Sequence, residues 1–283
     1  MTRHTASHRR LARLGAPLLV LSLAGCTRPA LAPGTPSQSV DLSRAQFVDL
    51  SHTFDEQTIF WPTADRFRID KVSDGPTPAG YYYAANNFFT AEHGGTHLDA
   101  PRHFAEGQQS ADQVPLDRLV SPAVVIDLAA AAEANADLQV AVTDLEAWEK
   151  THGRIPDGSI LLLRTGFSRR WPDAARYLGT AERGPDAVAK LHFPGLHPDA
   201  ARWLVANRRV DAVGIDTASI DFGQSTLFET HRTLSAANIP AFENLTMLDR
   251  VPATGAYVIA LPMKIGGGSG GPLRAMAIVP DGR

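Results

Sequence analysis

The chain predicts a mixed α/β domain built on a substantial sheet. Three observations carry that expectation. Two short apolar runs, 124–128 and 160–163, have the length and composition of buried strands. A segment with helical spacing separates them, and both ends of the domain read as strands rather than helices.

In chain order, Phe47-Val48-Asp49-Leu50 alternates apolar and polar residues, the period of a half-buried strand. Tyr81–Tyr83 and Phe88-Phe89 flank Asn86-Asn87, which predicts two half-buried strands around a turn. Val124–Leu128 and Ile160–Leu163 are the buried strands. Between them, over 137–151, Leu138, Val142, Leu145 and Trp148 stand three or four apart, which predicts an amphipathic helix. Pro198 opens a second helix over Asp199–Asn207, because proline's fixed φ suits a first helical turn. Val213–Asp216, Tyr257–Leu261 and Ala275–Val279 complete the strands.

Composition narrows the function. With 44% hydrophobic and 20% charged residues, the chain can bury a core without disulfides, and it has one cysteine and so no internal pair. A net charge of -3 leaves no basic surplus for phosphates, so no nucleic-acid partner is expected. Arg3, Arg9, Arg10 and Arg13 precede the apolar stretch Leu14–Leu23, which is too short to span a bilayer and suits a secretory leader. Leu23-Ala24-Gly25-Cys26 resembles a bacterial lipobox. The expected organisation is therefore a lipoprotein signal peptide over 1–25, a flexible Pro/Ala/Ser-rich tether over 26–45, and a single folded domain over 46–283. Acylated Cys26 would hold an exported protein on the membrane, on the periplasmic side or at the cell surface.

Two catalytic signatures near the C-terminus fail. Gly267-Gly268-Ser269-Gly270-Gly271 matches G-x-S-x-G, but a nucleophile elbow of that type needs a histidine later in the chain, and the last is His231. Gly266, Gly268 and Gly271 match a dinucleotide fingerprint, yet too few residues follow for a helix and a returning strand. The run reads as a glycine-rich turn before the final strand.

The stretch from Glu92 to Phe104, EHGGTHLDAPRHF, holds three histidines and an aspartate. Neutral imidazole and carboxylate are the ligands left to zinc or manganese where cysteine is absent. His93 and His97 have helical spacing, but Gly94-Gly95 disfavours a helix. His97 and Asp99 share a face only in extended chain. A glycine-permitted turn could wrap all three around one ion, and this clustering favours a metal site over a solvated loop.

The pattern His93-x-Gly95-Thr96-His97-x-Asp99-Ala100-Pro101-x-His103-Phe104 resembles the signature of the cyclase-like metal-dependent hydrolases, which include bacterial kynurenine formamidases and isatin hydrolases. The likeness extends from Asp49–His52 and Trp61-Pro62, through Leu163–Gly166 and Asp216–Asp221, to His231, Glu243–Leu245 and Leu261–Ile265. It implies a single domain with a central, barrel-like mixed sheet flanked by helices, assembled as a homodimer or homotetramer. It implies metal ligands at His93, His97 and Asp99, and a second pair at His231 and Glu243. Isatin-hydrolase-like members place glutamine where Glu243 stands, and an anionic glutamate suits two divalent ions, zinc or alternatively manganese. His103 matches the family's general acid/base, and Trp61 and Phe104 match positions that shape the substrate pocket.

The chemistry agrees: a divalent ion acidifies its water, and a histidine returns the proton to the departing nitrogen. The expected activity is hydrolysis of C–N bonds in linear or cyclic amides, with aryl formamides such as N-formylkynurenine leading. An exported hydrolase of another cyclic amide, imide or lactone is the alternative, and a non-catalytic metal-binding lipoprotein is a third reading. His52 could stand near the site or serve the core. Asp216 and Asp221 could orient ligands or end strands. His152, His192 and His197 read as surface or packing residues.

Overall fold

A computed structural model describes residues 40–281. The expected leader, lipidated Cys26 and most of the expected tether lie outside the described residues. Among the described residues the strands, in chain order, are β1 (Gln46–Asp49), β2 (Arg68–Pro76), β3 (Tyr82–Phe89), β4 (His97–Asp99), β5 (Val120–Asp127), β6 (Gln139–Val140), β7 (Ile160–Arg164), β8 (Gly195–Leu196), β9 (Ala212–Ile215), β10 (Ala241–Glu243), β11 (Tyr257–Pro262) and β12 (Gly270–Val279). The helices are α1 (Ala129–Ala134), α2 (Val142–His152), α3 (Ala174–Leu178), α4 (Pro185–Val188), α5 (Pro198–Asn207) and α6 (Glu229–Ala236).

The main sheet runs β1-β12-β11-β5-β7-β9-β10-β4, and β4 also pairs with β12. That last pairing closes a mixed barrel, with β1 attached outside the ring on β12. β5, β7, β9 and β10 are parallel neighbours, whereas β4, β12 and β11 run antiparallel to their partners. Ile160–Leu163 of β7 and the whole of β9 carry no polar side chain because both faces are covered. Ile160, Leu162 and Ala212 point to one core, and Leu161, Leu163, Val213 and Ile215 to the other, against α2 and α5.

Several expectations need correction. Asn86-Asn87 is not a turn: β3 runs unbroken through it, with Asn86 opposite Lys71 and Asn87 opposite Asp70, and the turn falls at 77–81. Nor is this hairpin half-buried, since Tyr81, Tyr82 and Tyr83 are 62%, 67% and 50% exposed. Asparagine is tolerated there because neither face of the two-stranded β2–β3 sheet enters the core. The helix expected over 137–151 begins only at Val142, because Gln139-Val140 first pairs with β8 as a strand.

Candidate metal centre

The site is assembled on β4. Its three residues alternate faces, so His97 and Asp99 point into one cavity while Leu98 enters the core on the other side. Antiparallel register places Glu243 of β10 directly opposite His97. Side chains opposed across such a pair stand within a few ångströms of each other. His93 precedes β4 in an irregular bend. There Gly95 takes φ +57°, and a Cβ on Gly94 would collide with the Phe60 ring at 1.9 Å. His103 follows in a single 3₁₀ turn, Pro101–His103. His231 comes from the buried face of α6, together with Thr230, Leu234 and Ser235.

The structure brings all six expected site residues to the same cavity. Asp99 sits between the histidines, with Oδ1 at 2.5 Å from His93 Nδ1 and 3.1 Å from His97 Nε2, and Oδ2 at 2.8 Å from His231 Nε2. Glu243 repeats the pattern, Oε1 at 3.1 Å from His231 Nε2 and Oε2 at 3.5 Å from His97 Nε2. Donor atoms of His97, Asp99 and Glu243 lie within 4.8 Å of one another, as do those of His93, Asp99 and His103. The His103 ring stacks on His93, centroids 3.8 Å apart.

Tautomers decide what this cluster can hold. His97 Nδ1 donates to the Gly95 carbonyl at 3.0 Å, which leaves Nε2 as a lone pair. That Nε2 is buried, has no hydrogen-bond partner, and faces two carboxylates. His231 Nδ1 is held at 2.6 Å by Asp221, so its Nε2 lone pair also faces Asp99 and Glu243. Imidazole lone pairs opposed to carboxylate oxygens repel one another unless a cation or a proton lies between them. The donor set, all nitrogen and oxygen, fits a divalent ion.

The electrostatics agree. Burial alone pulls His97 down, but the Asp99 and Glu243 carboxylates override it and hold the imidazole up at about 9. Burial likewise works against a charged His231, yet Asp221, Asp99 and Glu243 raise it well above the usual histidine range. Burial, reinforced by Asp99, pushes Glu243 upward. The pocket therefore stabilises positive charge. His103 differs: burial, only partly opposed by Asp99, lowers it to about 4, which leaves it neutral at pH 7.

A cavity of ≈ 300 Å³ opens on these donors. Trp61 and Phe104, the two pocket positions the resemblance implies, line it together with Phe60 and Phe228, which sequence reasoning missed. The Phe104 ring packs 4.5 Å from that of His231 and 5.3 Å from that of Phe228.

Around the donors, Asp221 orients His231 and also accepts the backbone N–H groups of Thr230 and His231 at the start of α6. Asp216 instead accepts from Thr165 and Gly166 and secures the turn after β7. His52 stacks on Trp171, away from the cavity lining, while His192 pairs with Asp137 and His197 caps α5. A buried chain, Tyr177 Oη to Asn244 Oδ1 and Asn244 Nδ2 to Gly95 O, fixes the carbonyl that sets the His97 tautomer. Asn244 belongs to the quoted resemblance; nothing in the spacing of Tyr177 marks it.

Comparison with known proteins adds the lineage. The family described as "Putative cyclase" matches residues 48–222. The isatin hydrolase of Roseibium aggregatum is 33% identical over 281 residues, covering 95% of this chain and 97% of that protein. The kynurenine formamidase of Salinibacter ruber is 32% identical over 184 residues, covering 65% and 74%. The solved isatin hydrolase A from Ralstonia solanacearum superposes with a TM-score of 0.74 at 36% identity, covering 83% of this chain and 92% of that one. Matched along its sequence and across its barrel, this chain is a hydrolase and belongs to the cyclase family.

Proposed function

We propose that the protein hydrolyses the ring C–N bond of a planar cyclic amide of the isatin type, using two divalent ions. The carrying observation is the aromatic-walled cavity of ≈ 300 Å³ that opens directly on the histidine–carboxylate cluster. That volume suits a small bicyclic ligand. The similarity to an isatin hydrolase spans 95% of the chain, against 65% for the kynurenine formamidase, which displaces formylkynurenine as the leading substrate. Glu243 remains the feature that favours the formamidase branch.

His93, His97 and Asp99 would hold one ion, and Asp99, His231 and Glu243 the second. The two-ion reading rests on Asp99, whose Oδ1 faces His93 and His97 while its Oδ2 faces His231. A bound divalent ion supplies Lewis acidity and brings the pKa of its water towards neutrality, and zinc suits this N/O donor set, with manganese as the alternative. His103, neutral at pH 7, takes the proton of the attacking water and returns it to the departing nitrogen. Trp61, Phe104 and Phe228 hold the planar ring and exclude bulk water.

The test is a substrate panel of isatin, N-formylkynurenine and small lactones, run with protein loaded with zinc or manganese. Turnover of isatin above the others supports the reading, and preference for formylkynurenine overturns the substrate class. The β2–β3 hairpin, which exposes Ile69, Val72, Tyr82 and Phe88 by half or more, supports a homodimer or homotetramer. Light scattering on Tyr82→Lys tests that assembly. Acylation of Cys26, read by mass spectrometry of the mature N-terminus, tests the membrane anchor.

A further inference from the structure

The glycine-rich turn before β12 lies against the metal site from behind. Ser269 Oγ stands 2.9 Å from His93 Nε2, and the opposite ring nitrogen, Nδ1, faces Asp99 Oδ1 at 2.5 Å. Glu92 Oε2 lies 2.5 Å from the Ser269 hydroxyl and accepts the Ser269 backbone N–H at 2.9 Å. The glycines on either side make this approach possible. A Cβ on Gly270 would lie 2.5 Å from His93 Cε1, and one on Gly268 would lie 2.8 Å from Glu92 Oε1. The turn is shaped around these two side chains.

In outline the chain Ser269–His93–Asp99 has the order of a serine-hydrolase triad. Two observations assign it another role. His93 lines the cavity whereas Ser269 does not, so the hydroxyl lies behind the imidazole and away from the space a substrate would fill. The hydroxyl hydrogen also has a competing acceptor in Glu92, and a carboxylate can accept but not donate. With its hydrogen directed at Glu92, Ser269 Oγ offers a lone pair to His93, which must then carry its proton on Nε2. The nitrogen left with a lone pair is Nδ1, the one on the Asp99 side.

We propose that Ser269 and Glu92 form a positioning relay that holds His93 as its Nε2–H tautomer and presents Nδ1 to a divalent cation shared with Asp99. The inference rests on the metal-site reading above. Ser269 acts through His93 and touches no substrate. Relays of this kind fix both the orientation and the basicity of a histidine ligand.

The experiment titrates zinc into chelator-stripped full-length protein by calorimetry and records the visible spectrum of the cobalt(II) form. The comparison covers the wild type, Ser269→Ala, Ser269→Thr and Glu92→Ala. Ser269→Ala should bind zinc about 10- to 100-fold more weakly and shift the cobalt bands. Ser269→Thr, which keeps the hydroxyl, should restore both, and Glu92→Ala should weaken binding in the same direction. Unchanged affinity and spectrum in Ser269→Ala overturns the relay, as does covalent labelling of Ser269 by a fluorophosphonate. If circular dichroism shows that Ser269→Ala does not fold, Glu92→Ala decides, and unchanged binding there overturns the relay. A wild type that binds no zinc or cobalt overturns the metal site itself, whereas a binding wild type with indifferent variants overturns the relay alone.

Discussion

Acid should destabilise this domain partly through His52, a histidine that lies outside the cavity. Its ring stacks on Trp171 with centroids 4.1 Å apart and planes 7° from parallel, and its Nε2 is buried with no hydrogen-bond partner. Burial lowers its pKa from 6.5 to about 4. The folded-state value lies below the unfolded one, so between them the unfolded chain binds more protons than the native state. Stability therefore rises with pH across that window and is lost as pH falls from 6.5 towards 4. With 1.36 kcal/mol per pKa unit, His52 alone removes about 2 kcal/mol between pH 7 and pH 5, approaching about 3 kcal/mol near pH 4. His52→Phe keeps an aromatic ring against Trp171 and abolishes the titration. Urea unfolding of both proteins at pH 7, 6 and 5 gives the difference, in which the other titrating groups cancel. The wild type should lose stability faster than the variant by the stated amount. Parallel pH dependences would refute a neutral, unpartnered His52.

Asp99→Ala should abolish metal binding, whereas His103→Ala should keep it and lose 10²- to 10⁴-fold in turnover, as read by metal analysis beside initial rates. Asp221→Asn removes the carboxylate that holds His231 Nδ1 at 2.6 Å, and metal affinity should fall about 10- to 100-fold in a competition assay. Gly270→Ala places a Cβ 2.5 Å from both His93 Cε1 and the Leu98 carbonyl. It should cost about 1–3 kcal/mol and lower the melting temperature measured by calorimetry.

The parallel half of the barrel was legible because burial on both faces leaves an unbroken apolar run, as in Ile160–Leu163. The histidine cluster was legible because its spacing excludes a single regular element and points to a turn. β4 and β10 were not legible. Each is only three residues long, too short for any period to show. The pairing of Glu243 with His97 follows from barrel closure across a long sequence separation, and spacing carries no trace of it. α6 hides for a related reason, since its buried face includes Thr230, His231 and Ser235, polar residues that break the apolar period; the Thr230 hydroxyl donates to the Leu196 carbonyl and His231 is held by Asp221. Ser269 was set aside because the chain-order rule addresses one fold's nucleophile, and it says nothing of a hydroxyl that serves a ligand from behind. Asn86-Asn87 misled because turn propensity normally competes with burial, and on this exposed hairpin burial exerts no selection.

The strand that closes the barrel is also the strand that carries His97 and Asp99. β4 is bonded to β10 on one side and β12 on the other, so its three residues are the seam of the cylinder. A cation held by those residues would act as a rivet through that seam and would couple its own occupancy to the integrity of the fold. At free metal a thousand times its dissociation constant, such a rivet adds about 4 kcal/mol to the native state. Withdrawing the ion would then loosen the cylinder where it is joined.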